Sequence, residues 1–142
     1  MNLRVALYFK GESGMNQKVW LAVVVAMLWL SACRTTEMDN QRVMAPPETA
    51  QASSIHAAIK QTVLKNTQRG WMVEASNAQE VVVGLHKRSH YLQVTYSLAG
   101  NKLESKITDS KNLNQEGNQI HKSALRWKDQ LDQQVFIAVS QL

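Results

Sequence analysis

Three residues in the C-terminal third of the chain carry the side chains of a hydrolase triad. They are Asp109, Ser110 and His121. In such a triad a carboxylate orients a histidine, and the histidine activates a serine hydroxyl for attack on a carbonyl. The sequence has no Gly-x-Ser-x-Gly turn to expose the nucleophile. Asp and Ser are also common turn residues, so two interpretations remain open for the Asp109–Leu113 segment: an active site beside His121, or a structural loop.

A second group of polar residues surrounds a predicted hairpin turn and combines basic with aromatic side chains. It consists of His86, Lys87, Arg88, His90 and Tyr91. The two histidines bracket the turn rather than share a helix face, and no carboxylate or cysteine is close in sequence, so we expect no metal site and no cofactor. The group is suited to contact with lipid headgroups, lipopolysaccharide phosphate or an acidic protein. The alternative is a solvated hairpin tip.

Cys33 is the only cysteine, which excludes an intramolecular disulfide and a cysteine-based zinc site. It closely follows Lys18 and an apolar run over residues 19–30. A helix of that length spans about 18 Å, which is too short for a hydrocarbon core of about 30 Å. The pattern therefore predicts a cleaved export signal rather than a transmembrane helix.

The segment Leu30-Ser31-Ala32-Cys33 resembles the lipobox of bacterial lipoproteins. This resemblance implies that a diacylglycerol is attached to the Cys33 sulfur and that the chain is cut before this residue. The protein would then contact the membrane through its N-terminal acyl chains. Arg34 stands where an Asp would favour retention in the inner membrane. The resemblance thus implies the inner leaflet of the outer membrane, facing the periplasm, with the inner membrane as the alternative.

The first residues do not fit a leader of this kind. Residues 1–14 include charged residues and glycines that interrupt any apolar run. From Met15 the order of a positive charge, an apolar stretch and small residues is complete. We therefore expect residues 1–14 to be an over-called start and residues 15–32 to be the signal peptide. An extended leader that begins at Met1 remains the alternative.

The rest of the chain divides into a linker and one folded domain. Residues 33–52 are polar and contain two prolines, which favours a flexible tether. Residues 53–142 predict a single α+β domain. Apolar residues recur at helical spacing from Ser53 to Gln68 and again from Ile120 to Leu142.

Between these helices the apolar period changes to two. Alternation over residues 71–108, interrupted by short polar connections, predicts four sequential strands. The order α-β-β-β-β-α then implies a four-stranded antiparallel meander with two helices packed on one face. Residues 109–119 are expected to be a polar loop. Trp71 and Trp127 lie at core phase, and His56 is expected to be half exposed.

The order of motifs along the domain resembles that of a group of small Gram-negative periplasmic lipoproteins of unknown function. The matching motifs are Gly70-Trp71, the meander, Asp109-Ser110-Lys111-Asn112-Leu113, Ile120-His121 and Trp127. The resemblance covers about residues 55–142. This chain has Leu125-Arg126 where those relatives often carry Tyr-Asn. The resemblance implies a shared fold and brings no activity with it.

The charge of the chain limits the classes of partner. The formal net charge is +5. Removal of residues 1–32, with three basic residues and one acidic residue, leaves +3. Because no basic run is concentrated in the sequence, a nucleic-acid partner is not expected. We predict a non-catalytic interaction or assembly module on the periplasmic side, with an envelope protein or an anionic lipid as partner. The alternative is a small ligand-binding protein or hydrolase that uses Asp109–Leu113 and His121.

Overall fold

The computed structural model describes residues 35–37 and 40–142. The predicted signal peptide and Cys33 lie outside these residues. The described elements follow one another along the chain as β1 (Thr35–Glu37), β2 (Gln41–Met44), α1 (Ala52–Lys65), a 3-10 turn (Thr67–Arg69), β3 (Trp71–Ser76), β4 (Glu80–Lys87), β5 (His90–Ala99), β6 (Lys102–Lys111), β7 (Gln119–His121) and α2 (Lys122–Ser140).

The main sheet has five antiparallel strands in the order β2-β6-β5-β4-β3. The alternating pattern determines the register, since Val83 pairs with Val94 and Val94 pairs with Ile107. All three side chains are buried, so they form one row across the apolar face of the sheet. The α+β class, the antiparallel sheet and the two helices are confirmed.

The prediction of four strands is wrong, because β2 adds a fifth at the edge of the sheet. It lies within residues 33–52, which were expected to form a flexible tether. The side chain of Asn40 bonds the backbone of Ile107 twice, at 3.1 Å from Nδ2 to the carbonyl oxygen and at 2.6 Å from the Ile107 N–H to Oδ1. Arg42 forms an ion pair with Asp129 of α2 at 2.9 Å. Four residues are too few to show an alternation, so the sequence pattern missed this strand.

The segment 109–119 is a loop only over residues 112–118, and its two ends belong to strands rather than to the expected loop. Strand β6 continues to Lys111, so that Asp109 and Ser110 are strand residues. The pairing with β5 shifts between Gln93 and Val94, which leaves Thr108 as an extra residue in β6. A bulge of this kind interrupts the alternation of side chains. The sequence pattern therefore ended the strand at the bulge.

Both helices contribute to the same apolar core as the inner face of the sheet. Trp71 is 4 % exposed, as expected for a core residue. Trp127 is only partly buried and packs against the edge of the core. His56 is buried rather than half exposed, and burial together with the charge of Lys60 lowers its pKa. The core consists of Ile55, Ile59, Val63, Trp71, Val81, Val83, Leu85, Leu92, Val94, Tyr96, Leu103, Ile107, Leu113, Ile120, Ala124, Leu131, Val135 and Val139.

An ion pair lies inside this core between α2 and the sheet. Lys128 and Asp132 are 1 % and 2 % exposed, and Nζ lies 2.5 Å from Oδ2. Asp132 also accepts hydrogen bonds from Tyr96 at 2.8 Å and Ser105 at 2.9 Å, and Lys128 donates to Ser105 Oγ at 2.8 Å. Burial and the neighbouring carboxylate raise the pKa of Tyr96 well above its ordinary value. The cluster joins α2 to strands β5 and β6 through charged groups whose partners are all within the core.

Candidate functional site

A basic cleft of about 810 Å³ lies between the turn after α1, the β4–β5 hairpin and α2. Its charged lining consists of Arg69, Lys87, Arg88 and Arg126, and no Asp or Glu is among the lining residues. The amide side chains Asn66, Gln68, Gln130 and Gln134 line it as well. Cations surrounded by neutral hydrogen-bonding groups make an environment that is suited to an anion.

A tight contact at Gly70 fixes the floor of the basic cleft. Gly70 has φ +96°, and its carbonyl accepts the backbone N–H of His86 at 2.9 Å. A β-carbon at this position would lie 2.2 Å from the carbonyl oxygen of His86. The close approach of the two backbones places Arg69, on the preceding 3-10 turn, beside the end of β4.

The β4–β5 hairpin carries two cations of the cleft, Lys87 and Arg88. Arg88 has φ +57°, a left-handed conformation that is unfavourable for a residue with a β-carbon. The Asn112 side chain holds this turn by donating to the Ser89 carbonyl at 2.6 Å. Lys87 Nζ lies 5.0 Å from the centroid of the Trp127 ring, a cation–π contact across the cleft. The hairpin therefore presents two adjacent cations from a turn that Asn112 holds in place.

A smaller pocket of about 290 Å³ shares Lys87, Arg88 and Trp127 with the basic cleft. His90 and His121 line it too. His90 Nδ1 donates to the backbone carbonyl of Asn112 at 2.7 Å, because a carbonyl oxygen only accepts. His121 Nδ1 accepts the Ser123 N–H at 3.2 Å and so caps α2. Both rings are thus oriented by the backbone next to the cleft.

The side chains of the remaining residues of the predicted basic group, His86 and Tyr91, join a separate cluster on the other face of the sheet, although His86 also lines the basic cleft. Glu74 accepts hydrogen bonds from His86 Nε2 at 3.1 Å, Tyr91 at 2.8 Å and Gln93 at 3.0 Å. Gly84 provides the room, since a β-carbon there would lie 2.0 Å from Glu74 Oε1. The structure brings Lys87, Arg88, His90 and His121 together and places His86 and Tyr91 with Glu74.

The hydrogen bonds of this cluster change the ionisation of its acid groups. Burial raises the pKa of Glu74, but the bonds from Gln93, Tyr91 and His86 outweigh burial, and the pKa lies below its ordinary value. Burial and the bond to Glu74 raise the pKa of Tyr91 to about 12. Glu74 is therefore a carboxylate and Tyr91 a neutral donor at neutral pH. His86 is paired with this carboxylate rather than with the cations of the basic cleft.

The three residues of the suggested triad each have another partner. Asp109 Oδ1 accepts the N–H of Ser110 at 2.8 Å. Ser110 Oγ donates to Gln115 Oε1. His121 uses Nδ1 to cap α2. In residues 35–37 and 40–142, no hydrogen bond links Ser110 to His121, so the arrangement does not place a base on the serine hydroxyl.

Sequence reasoning found one half of the basic cleft and missed the other. Lys87 and Arg88 were recognised as hairpin cations. Arg69 and Arg126 were not, because they belong to the turn after α1 and to α2, and no periodicity relates these segments to the hairpin. Each adjoins a residue that the sequence did single out, since Arg69 precedes Gly70 and Arg126 precedes Trp127. The position of each arginine next to such a residue was the sequence feature that could have indicated the second half of the cleft.

The chain matches no protein-family model, no curated protein and no solved structure. The resemblance to small periplasmic lipoproteins therefore stays a prediction. Within the described part of the chain, no helix is long and apolar enough to cross a membrane. In the same residues, no group of three or more His, Cys, Asp or Glu side chains is placed to hold a metal ion.

Proposed function

We propose that this protein is a lipid-anchored lipoprotein of the bacterial envelope whose domain is a non-catalytic module that binds an anionic ligand in the basic cleft. The observation that carries the proposal is the convergence of Arg69, Lys87, Arg88 and Arg126 on one cleft without a lining carboxylate. These four cations come from three separate parts of the chain. Such a concentration of positive charge raises the local concentration of anions.

The four cations of the cleft lie together without a counter-charge. No ion pair in the described residues involves any of them. Like charges brought together without counter-charges repel one another and disfavour the folded state. An anionic ligand would remove this repulsion.

The lining also indicates the chemistry of the ligand. The guanidinium group of arginine presents a planar set of donors that fits a phosphate or carboxylate with two parallel hydrogen bonds. Three of the four cations are arginines, Arg69, Arg88 and Arg126. The amides of Gln130 and Gln134 add neutral donors and acceptors that suit hydroxyl groups. A phosphate carried on a hydroxyl-rich group fits this combination.

The membrane anchor in the proposal comes from the sequence. Leu30-Ser31-Ala32-Cys33 follows a charged and then apolar leader, and Arg34 follows the cysteine. One acyl chain binds a bilayer only marginally, whereas the several chains of a lipoprotein hold it stably. We accordingly place the domain at the periplasmic side of the outer membrane. The hydrolase alternative gains no support from the geometry, because Ser110 and His121 have separate partners.

The first prediction tests the basic cleft with inorganic pyrophosphate as the probe. Replacing Arg69 and Arg126 together with Gln should weaken binding about 10-fold or more, since charge-assisted bonds contribute about 1.5–3 kcal/mol each when they are well formed. Binding by the wild-type chain should also weaken as salt rises. Titration calorimetry of the full-length chain in a neutral detergent measures both effects.

A matched control removes the same amount of charge elsewhere. Lys102 and Lys106 are exposed on β6 and do not line the cleft. Their joint replacement with Gln should leave pyrophosphate affinity within about twofold of wild type, because exposed charges beyond a Debye length of about 8 Å are screened. Equal losses in the two double variants, or no binding by the wild type, would contradict the assignment of the cleft.

The second prediction concerns the anchor. Cys33→Ala should abolish incorporation of labelled palmitate and leave an uncleaved precursor, because the lipoprotein peptidase acts on a diacylated cysteine. Gel mobility and labelling of cells that express the full-length chain measure both effects. A Cys33→Ala chain that is still cleaved after Ala32 would indicate an ordinary signal peptide and remove the anchor from the proposal.

A further inference from the structure

The N-terminal part of the described chain returns to the end of the domain that carries the basic cleft. Strand β1 pairs antiparallel with β7, with Thr35 opposite His121, Thr36 opposite Ile120 and Glu37 opposite Gln119. His121 lines the smaller pocket together with Lys87, Arg88 and Trp127. These last three residues also line the basic cleft. The chain thus enters the domain beside its cationic surface.

This entry point limits the distance between the domain and Cys33, the residue that is predicted to carry the lipid. Cys33 precedes Thr35 by two residues, and two residues of chain span at most about 7 Å. A flexible tether over residues 33–52 would instead allow a separation of roughly 25 Å, from about 5–6 Å multiplied by the square root of its length. The pairing of β1 with β7 replaces that freedom with a short connection. An acylated Cys33 would bring bilayer headgroups to this end of the domain.

The surface at that end has the composition of a headgroup-binding surface. Lys87 and Arg88 project from the hairpin turn, and Arg126 lies on the adjoining turn of α2. Trp127 is partly buried between the two pockets. Tryptophan favours the membrane interface, where its ring meets both apolar and polar groups. Arginine and lysine near a bilayer bind the phosphates of its headgroups.

We propose that the ligand of the basic cleft is the phosphate-bearing headgroup of a lipid in the same membrane that anchors the chain. This inference rests on the proposed function and adds to it the identity of the ligand and the orientation of the domain. The β4–β5 hairpin lies against the bilayer, and the opposite end of the sheet faces away from it. Because the anchor holds the cleft at the bilayer, the effective concentration of headgroups is high even when each contact is weak.

The experiment uses two turns at opposite ends of the sheet. Ser89 is exposed in the β4–β5 turn, and Asn101 is exposed in the β5–β6 turn. Strand β5, with ten residues, separates them, a distance of about 30 Å at the usual rise per residue. Ser89→Cys and Asn101→Cys each give a site for a thiol-reactive fluorophore, since the sulfur of a lipidated Cys33 is a thioether and does not react. The probe is a headgroup-nitroxide phospholipid in phosphatidylcholine vesicles with or without phosphatidylglycerol, which quenches nearby fluorophores.

The expected result is quenching at Ser89→Cys at least about twofold stronger than at Asn101→Cys in vesicles that contain phosphatidylglycerol. Replacing Lys87 and Arg126 with Gln should reduce quenching at Ser89→Cys in vesicles that contain phosphatidylglycerol to the level seen in phosphatidylcholine alone, while the anchor still keeps it above that of Asn101→Cys. The Lys102→Gln, Lys106→Gln pair should leave it unchanged. The full-length, membrane-extracted chain is used throughout.

Several outcomes would overturn the inference, and they separate it from the proposed function. Equal quenching at the two positions, or quenching that Lys87 and Arg126 do not affect, excludes the headgroup as ligand. If pyrophosphate still binds in a manner that depends on Arg69 and Arg126, the anion-binding module stands and its ligand is a soluble anion or an acidic protein. Absence of both signals overturns both proposals. Labelling of the wild-type chain would reveal a free Cys33 thiol and would remove the anchor on which the orientation depends.

Discussion

Lys128→Met is expected to destabilise the domain by about 3–5 kcal/mol, the usual cost of removing one partner of a buried ion pair. The Lys128 ammonium is 1 % exposed and lies 2.5 Å from the Asp132 carboxylate. Without it, the buried Asp132 side chain keeps only the hydroxyl groups of Tyr96 and Ser105 as partners. A buried carboxylate that loses its counter-charge is unfavourable because nothing replaces the hydration it gave up on folding.

The double variant Lys128→Met, Asp132→Leu should recover part of this loss. Removing both charges eliminates the buried ion, although Tyr96 and Ser105 then lose an acceptor at about 1–3 kcal/mol each if they stay unsatisfied. The two single losses should therefore sum to more than the loss in the double variant. Urea unfolding of the full-length chain, followed by circular dichroism, measures the free energies of unfolding for this cycle.

The exposed ion pair between β2 and α2 is the control. Arg42 and Asp129 lie 2.9 Å apart, with side chains that are 50 % and 43 % exposed. Arg42→Ala should cost below about 1 kcal/mol, since water competes for both groups. If Lys128→Met cost no more than Arg42→Ala, or if the Lys128 and Asp132 losses were additive, the charged cluster would not be the dry core contact described above.

The buried ion pair also shows which contacts the sequence pattern could not predict. Ala124, Leu131 and Val135 mark the apolar stripe of α2, and Lys128 lies on the same stripe at helical spacing. The apolar pattern did not include Lys128 among the core residues. Its position on the stripe was the signal that it is buried, and the nearby Asp132, four residues further on, was the signal of a partner. Neither residue indicates that Tyr96 and Ser105 would be its partners, because those contacts depend on how the helix is placed on the sheet.

The sheet was predictable to the extent that it depends on local alternation. Strands β3 to β6 follow the period of two, and their pairing follows from short connections. Strand β2 was missed because it is held by contacts far away in sequence, from Asn40 to Ile107 and from Arg42 to Asp129. The basic cleft was missed for the same reason. Its cations are clear in the sequence, but their convergence is a property of the packed chain.

Gly70→Ala is the last expected result, with a loss of about 2–4 kcal/mol from backbone strain combined with overpacking. Gly70 has φ +96°, and an added β-carbon would lie 2.2 Å from the carbonyl oxygen and 3.2 Å from the carbonyl carbon of His86. Those atoms are backbone, and the His86 N–H is bonded to the Gly70 carbonyl at 2.9 Å. Relief of the clash therefore requires that the turn after α1 move away from β4.

Gly100→Ala separates the two causes of this loss. Gly100 has φ +59°, and no atom lies within 4 Å of a β-carbon built there. This variant introduces the left-handed strain alone, at about 1–2 kcal/mol. The urea midpoint of the full-length chain should therefore fall further for Gly70→Ala than for Gly100→Ala.

The two glycine variants should also differ in ligand binding. Movement of the turn after α1 takes Arg69 away from Lys87 and Arg88 on the hairpin, so that the cations no longer converge on one anion. Pyrophosphate affinity should fall in Gly70→Ala under conditions where the chain is still folded, and it should be unchanged in Gly100→Ala. Equal losses of stability in the two variants, with affinity intact in both, would mean that the turn adapts to a β-carbon and that the close backbone contact at Gly70 does not hold the cleft together.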